Sequence, residues 1–113
     1  MSRSVLFLDD NEYRIKSFRS KVPYATTVET AAECIKELEF PAVWDIVFLD
    51  HDLGGDTFVD SAGLETGMEV VRQVCRKRYT VGAFIVHTHN PGAAETMASL
   101  LDAAGRTANE RTV

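Results

Sequence analysis

Cysteine is scarce in this sequence. Two residues in 113, Cys34 and Cys75, lie far apart within helix-like patterns. That excludes a disulfide scaffold or a thiolate metal site and leaves two buried, reduced thiols as the expectation. Long apolar runs are also missing, so no membrane-spanning helix is expected. Positive charge is in deficit: 12 Lys and Arg against 17 Asp and Glu give a formal net charge of -5. Such a chain repels anionic membranes and long nucleic acid, which excludes an extended nucleic-acid groove. A phosphate group would need a local site, such as a metal or a helix N-terminus. Repeats, low-complexity tracts and linkers are absent, so residues 1–113 are read as one domain large enough for a real core. Met1-Ser2-Arg3-Ser4 runs straight into a short apolar stretch; a secretory signal is not expected, and a cytoplasmic location is.

What the chain does have is alternation. Short apolar runs and helical patterns follow one another throughout, which predicts an α/β domain with a parallel sheet. Strands are expected at Ser4 to Leu8, Tyr24 to Val28, Ile46 to Leu49 and Ala83 to Val86, with a fifth edge strand or a frayed end in Arg106 to Val113. Asn11 is placed to cap a first helix that turns Ile15 and Phe18 inward, and Thr30 with Glu33 to open a second. A third helix carries Leu64, Met68, Val71 and Cys75 on one face, and Arg76-Lys77-Arg78 suits the negative end of its dipole. A fourth, opened by Asn90-Pro91, turns Met97, Leu100 and Leu101 inward and ends at Gly105. The stretch 50–62 is rich in Gly and Asp and reads either as a lid or as a surface insertion.

The chemistry gathers where apolar runs end. Val5 to Leu8 runs into Asp9-Asp10-Asn11; Val47-Phe48-Leu49 runs into Asp50-His51-Asp52; Ala83 to Val86 runs into His87-Thr88-His89-Asn90. In open parallel sheets, ligands bind beyond the carboxyl ends of the strands, where the strand order reverses. With the order 2-1-3-4-5, Asp9, Asp10 and Asp50 converge there, and His87 to Asn90 lie alongside. Clustered carboxylates repel, so they call for a cation or a shared proton. Mg²⁺ or Mn²⁺ is the expected cofactor, held by Asp9, Asp10 and Asp50. His51 and His87 are candidates to move protons near neutral pH, beside Asp50. Taken singly, each Asp reads as a cap or a turn residue and each His as structural; their recurrence at one rim is the signal. Thr88, Asn90 and the helix N-terminus that follows, with Gly92, are candidate phosphate ligands.

These residues resemble a known pattern. Asp9-Asp10, Asp50, Gly67 and Thr88 are similar to the corresponding positions of response-regulator receiver domains, in which the acid pair and the central Asp bind Mg²⁺ and the central Asp accepts a phosphoryl group. Receivers also carry a lysine after their fifth strand and a fifth helix; this chain has no lysine after Lys77 and no room for that helix. The pattern is closer to the cyclic-phosphate processing receiver domain family. The matching residues are Leu6-Phe7-Leu8-Asp9-Asp10 with Arg14, Leu49-Asp50-His51-Asp52-Leu53, and His87-Thr88-His89-Asn90-Pro91-Gly92. The resemblance implies a flavodoxin-like, receiver-like open parallel sheet of four or five strands, with helices on both faces and truncated at the C-terminus. It further implies a metal-assisted phosphoesterase, a cyclic phosphodiesterase acting on a cyclic-phosphate-bearing RNA end or a cyclic nucleotide. A non-catalytic cyclic-nucleotide or protein-binding module and an atypical phosphoacceptor receiver remain the alternatives.

Overall fold

The structure, a computed structural model, describes residues 4–39, 42–50, 66–77, 79–87, 91–105 and 108–110. In chain order the elements are β1 (Val5–Leu8), α1 (Glu12–Lys21), β2 (Thr26–Val28), α2 (Ala31–Leu38), β3 (Val43–Leu49), α3 (Gly67–Arg76), β4 (Thr80–Val86), α4 (Pro91–Ala103) and β5 (Ala108–Glu110). All strands are parallel, in the order β2-β1-β3-β4-β5. The chain starts in the middle of the sheet, works to one edge, and crosses back past β1 to build the other side. The reversal of direction therefore falls between β1 and β3.

Alternation along the strands divides the apolar residues between two faces. Leu6, Leu8, Val47, Leu49, Phe84 and Val86 pack against Cys34 and Leu38 of α2, Val71 and Val74 of α3, and Met97 and Leu101 of α4. On the other face Val5 and Phe7 meet Phe18 of α1, with Ile15, Val22 and Phe48 partly buried against them. Helices thus cover both faces, as expected. The caps also form as the sequence suggests: Asn11 Oδ1 accepts the Arg14 N–H at 3.0 Å, and Thr30 Oγ1 accepts the Glu33 N–H at 3.1 Å. Gly105, at φ 79, follows the end of α4 in the left-handed region that favours glycine. Ala108–Glu110 of the tail form the edge strand β5.

Two expectations about burial need correction. Cys75 is exposed, because α3 turns Met68, Val70, Val71 and Val74 inward and leaves position 75 at the margin, with its thiol 3.8 Å from the Leu100 carbonyl. Leu100 is likewise 41% exposed, since Met97 and Leu101 already take the inward stripe of α4. Cys34, by contrast, is fully buried, and that burial pushes its thiol pKa far above the usual value. A thiol reagent added to the folded protein should therefore label Cys75 and spare Cys34 until the protein unfolds. Labelling of both at equal rates would contradict the packing of α2.

Strands β3 and β4 begin three residues earlier than the apolar pattern suggests. Trp44 and Val81 pack on the same core as Val47 and Phe84, an odd spacing that a regular strand does not allow. The change of facing falls between them. The N–H groups of Asp45 and Ile46 both donate to the Ser4 carbonyl, at 3.0 and 3.2 Å, as in a β-bulge. Beside it, a Cβ on Gly82 would stand 2.7 Å from the Asp45 carbonyl oxygen. Gly82→Ala must push backbone against backbone, and we expect a loss of ~1–3 kcal/mol in urea unfolding. A neutral substitution would mean that the two strands do not approach so closely.

Candidate active site at the carboxyl ends of the strands

Register builds this site. The last paired residues are Leu8 with Leu49 and Leu49 with Val86. One step further along each strand stand Asp9, Asp50 and His87, side by side. The ladder continues through their backbones: Asp9 N–H donates to Val28 O at 3.1 Å, Asp50 N–H to Leu8 O at 3.2 Å, and His87 N–H to Leu49 O at 2.9 Å. All three residues are buried, at 0%, 2% and 4% exposure. Asp10, half-buried, completes the acidic group. One ligand oxygen from each of Asp9, Asp10 and Asp50 lies within 4.8 Å of the others.

Asp9 is heavily engaged. Its Oδ1 accepts the Asn11 N–H at 2.8 Å and Arg14 Nη2 at 3.0 Å; its Oδ2 accepts Arg14 Nε at 2.7 Å. Arg14 Nη2 also reaches Asp50 Oδ2 at 3.5 Å. The guanidinium pKa is raised, first by its hydrogen bond to Asp9 against the opposing effect of burial, then by the charges of Asp9, Asp50 and Asp10. Arg14 stands in the first turn of α1, where the helix that Asn11 caps folds it back over the end of β1. In the sequence it was visible only as one letter of the family pattern. The spacing from Asp9, five residues across a capped helix start, is the signal that could have given it a role.

His87 reaches across the end of β3 to β1. Its Nε2 lies 3.1 Å from the Leu8 carbonyl, and a carbonyl only accepts, so this nitrogen carries the proton. Its Nδ1 faces Asp9 Oδ2 at 3.6 Å, within electrostatic reach but too long for a hydrogen bond. The ring stacks on Phe7 with centroids 4.7 Å apart and meets Phe48 edge-on at 6.0 Å. Phe7 in turn stacks on Phe18 of α1 at 4.0 Å.

The structure thus brings together Asp9, Asp10, Asp50 and His87 and adds Arg14. Gly92 is exposed in the first turn of α4. His51, Thr88 and Asn90 lie outside the described residues, as do His89 and the stretch 51–62 of the loop read as a lid or an insertion. The donor set suits a hard divalent cation: three carboxylates and one guanidinium leave a net charge of about two negative units for it to balance. Among the described residues no helix is long and apolar enough to cross a membrane.

Solved structures repeat this fold. An adenylate cyclase from Rhodopirellula baltica superposes with a TM-score of 0.66 at 14% identity, over 100% of this chain and 79% of that one. The BeF3-activated DrrB receiver domain gives 0.63 at 18% identity, over 97% and 84%. A response regulator receiver protein from Pseudomonas putida gives 0.61 at 15% identity, over 96% and 85%. No curated protein matches the sequence. The model of the cyclic-phosphate processing receiver domain matches residues 4–103. With nearly the whole chain matched, the protein belongs to the cyclic-phosphate processing receiver domain family.

Proposed function

We propose that the protein is a metal-assisted phosphoesterase that opens a cyclic phosphodiester on an RNA end or a nucleotide. The observation that carries this reading is the convergence of Asp9, Asp10 and Asp50 on one rim beside Arg14 and His87, in a family named for cyclic-phosphate processing. Asp9, Asp10 and Asp50 would hold Mg²⁺ or Mn²⁺. When bound, such an ion supplies charge stabilisation at phosphoryl oxygens and lowers the pKa of water.

Hydrolysis adds water to phosphorus, breaks one ring P–O bond, and delivers a proton to the departing oxygen. His87 Nε2–H is committed to the Leu8 carbonyl, so a proton that this ring exchanges passes through Nδ1, the nitrogen facing Asp9. The Leu8 carbonyl orients that ring, and the Asp9 carboxylate balances the charge it gains. The burial of Asp9 and Asp50 keeps bulk water from screening these charges. His51, next to Asp50 in the chain, is the second proton carrier in this proposal. Thr88, Asn90 and Gly92 at the start of α4 would bind phosphate oxygens.

Incubation with a panel of 2′,3′-cyclic-phosphate RNA ends and cyclic nucleotides, with Mg²⁺, Mn²⁺ or EDTA, tests the reading. Ring opening that needs the metal is the expected result. Binding without turnover across the whole panel would leave a sequestering module instead. A second reading has its own support: Asp50 stands buried at the end of the central strand β3, beside the acid pair, as a phosphoacceptor aspartate does in receivers. An acid-labile acyl phosphate on Asp50, also cleaved by hydroxylamine, after treatment with a small phosphodonor would favour it.

A further inference from the structure

We propose that Arg14 is the anion anchor of this site: a guanidinium fixed among the carboxylates whose remaining N–H groups take a phosphate oxygen. The identity of that phosphate rests on the function proposed above; the anchor itself rests on geometry. Arginine has five N–H donors. Here Nε and Nη2 are turned to Asp9 and Asp50, at 2.7, 3.0 and 3.5 Å. Among the described residues, Nη1 makes no hydrogen bond. The side chain is not sealed in, being 29% exposed at the rim while Asp9 beneath it is 0% exposed.

Arg14 also lines an open cavity of about 160 Å³ with Tyr13, Ser17, Phe18 and Lys21. That cavity brings a second cation, Lys21, and the hydroxyl-bearing Tyr13 and Ser17 to the same side of α1. Of the four basic residues of α1, Arg14 and Lys21 line this cavity, while Arg19 lies toward Glu12, Glu29 and Glu33. The Asp9 fork fixes the plane of the guanidinium, so little rotamer freedom remains to be lost when a phosphate binds.

The same geometry makes Arg14 a resident counter-charge. It shares Asp9 and Asp50 with any divalent cation, and so it lowers the affinity for the cation alone while raising it for cation and phosphate together. The experiment compares wild type, Arg14→Gln and Arg14→Lys. Mn²⁺ binding alone is read by electron paramagnetic resonance, and inorganic phosphate binding in saturating Mn²⁺ by calorimetry. For Arg14→Gln, Mn²⁺ affinity should hold or rise by up to about tenfold, because a repelling charge is gone. Phosphate affinity should fall about 10- to 100-fold with the loss of a charge-assisted pair. Arg14→Lys, which keeps the charge without the fork, should fall between and serves as the folded variant if the glutamine substitution unfolds the chain. Unchanged phosphate affinity in the variants overturns the proposal. So does a joint fall in Mn²⁺ and phosphate affinity, which would make Arg14 a prop for the carboxylates, or a wild type that binds no phosphate. If phosphate binding depends on Arg14 but no cyclic phosphate is opened, the enzymatic reading fails and the anchor stands.

Discussion

Replacing Asp50 by asparagine is expected to cut turnover of a cyclic phosphate by on the order of 10²–10³-fold, the scale of losing one preorganised electrostatic partner. It should also erase the stabilisation that Mn²⁺ gives the wild type. At a concentration 100 times its Kd, a ligand of the native state stabilises by ~2.7 kcal/mol, so the effect is measurable by thermal unfolding. The variant removes a carboxylate that is 2% exposed and stands in the same row as Asp9. Its metal-free form should unfold no earlier than the wild type. The lost 3.5 Å contact with Arg14 is long, and relief of repulsion within the acidic group offsets it. Equal Mn²⁺ shifts in the two proteins would take Asp50 out of the cation site.

At His87, two substitutions separate packing from chemistry. His87→Ala should cost ~2–4 kcal/mol in denaturant unfolding, from the space left against Phe7 and Phe48 and the lost donor to Leu8. The Leu8 carbonyl keeps one partner, the Asp50 N–H, which bounds the loss. His87→Gln retains an N–H donor and much of the volume. It should fold with a smaller loss yet drop turnover by ~10²–10⁴-fold, the usual contribution of a general acid or base. A folded His87→Gln protein with full turnover would restrict His87 to packing and leave the proton work to His51.

Much of this site is legible in the sequence because parallel strands all leave the sheet at the same end. Once Val5–Leu8, Val47–Leu49 and Ala83–Val86 are seen as parallel runs, Asp9, Asp50 and His87 must share a rim, and the register places them in one row. The starts of β3 and β4 were less legible. Val43, Asp45, Thr80 and Gly82 are exposed, so the apolar pattern sets in only at Ile46 and Ala83. Cys75 and Leu100 were misjudged because a helical stripe read from apolar letters is wider than the face that packs. Arg14 carries no role in the sequence beyond its place in the family pattern, because a charged residue in a first turn usually faces water and only the fold-back over β1 brings it onto Asp9. His51, Thr88 and Asn90 stay as the sequence left them.

The single tryptophan gives the protein two separable optical signals. Trp44 sits near the start of β3, with its indole N–H donated to the Glu37 carbonyl of α2 at 2.9 Å. Asp50 lies six residue steps further along the strand, roughly 20 Å at ~3.3 Å per residue. Its fluorescence therefore reports the docking of α2 on the sheet and stays quiet when an ion or a phosphate enters the rim. Unfolding can be followed in the tryptophan band while occupancy of the site is followed by Mn²⁺ resonance, in one sample and without an added label.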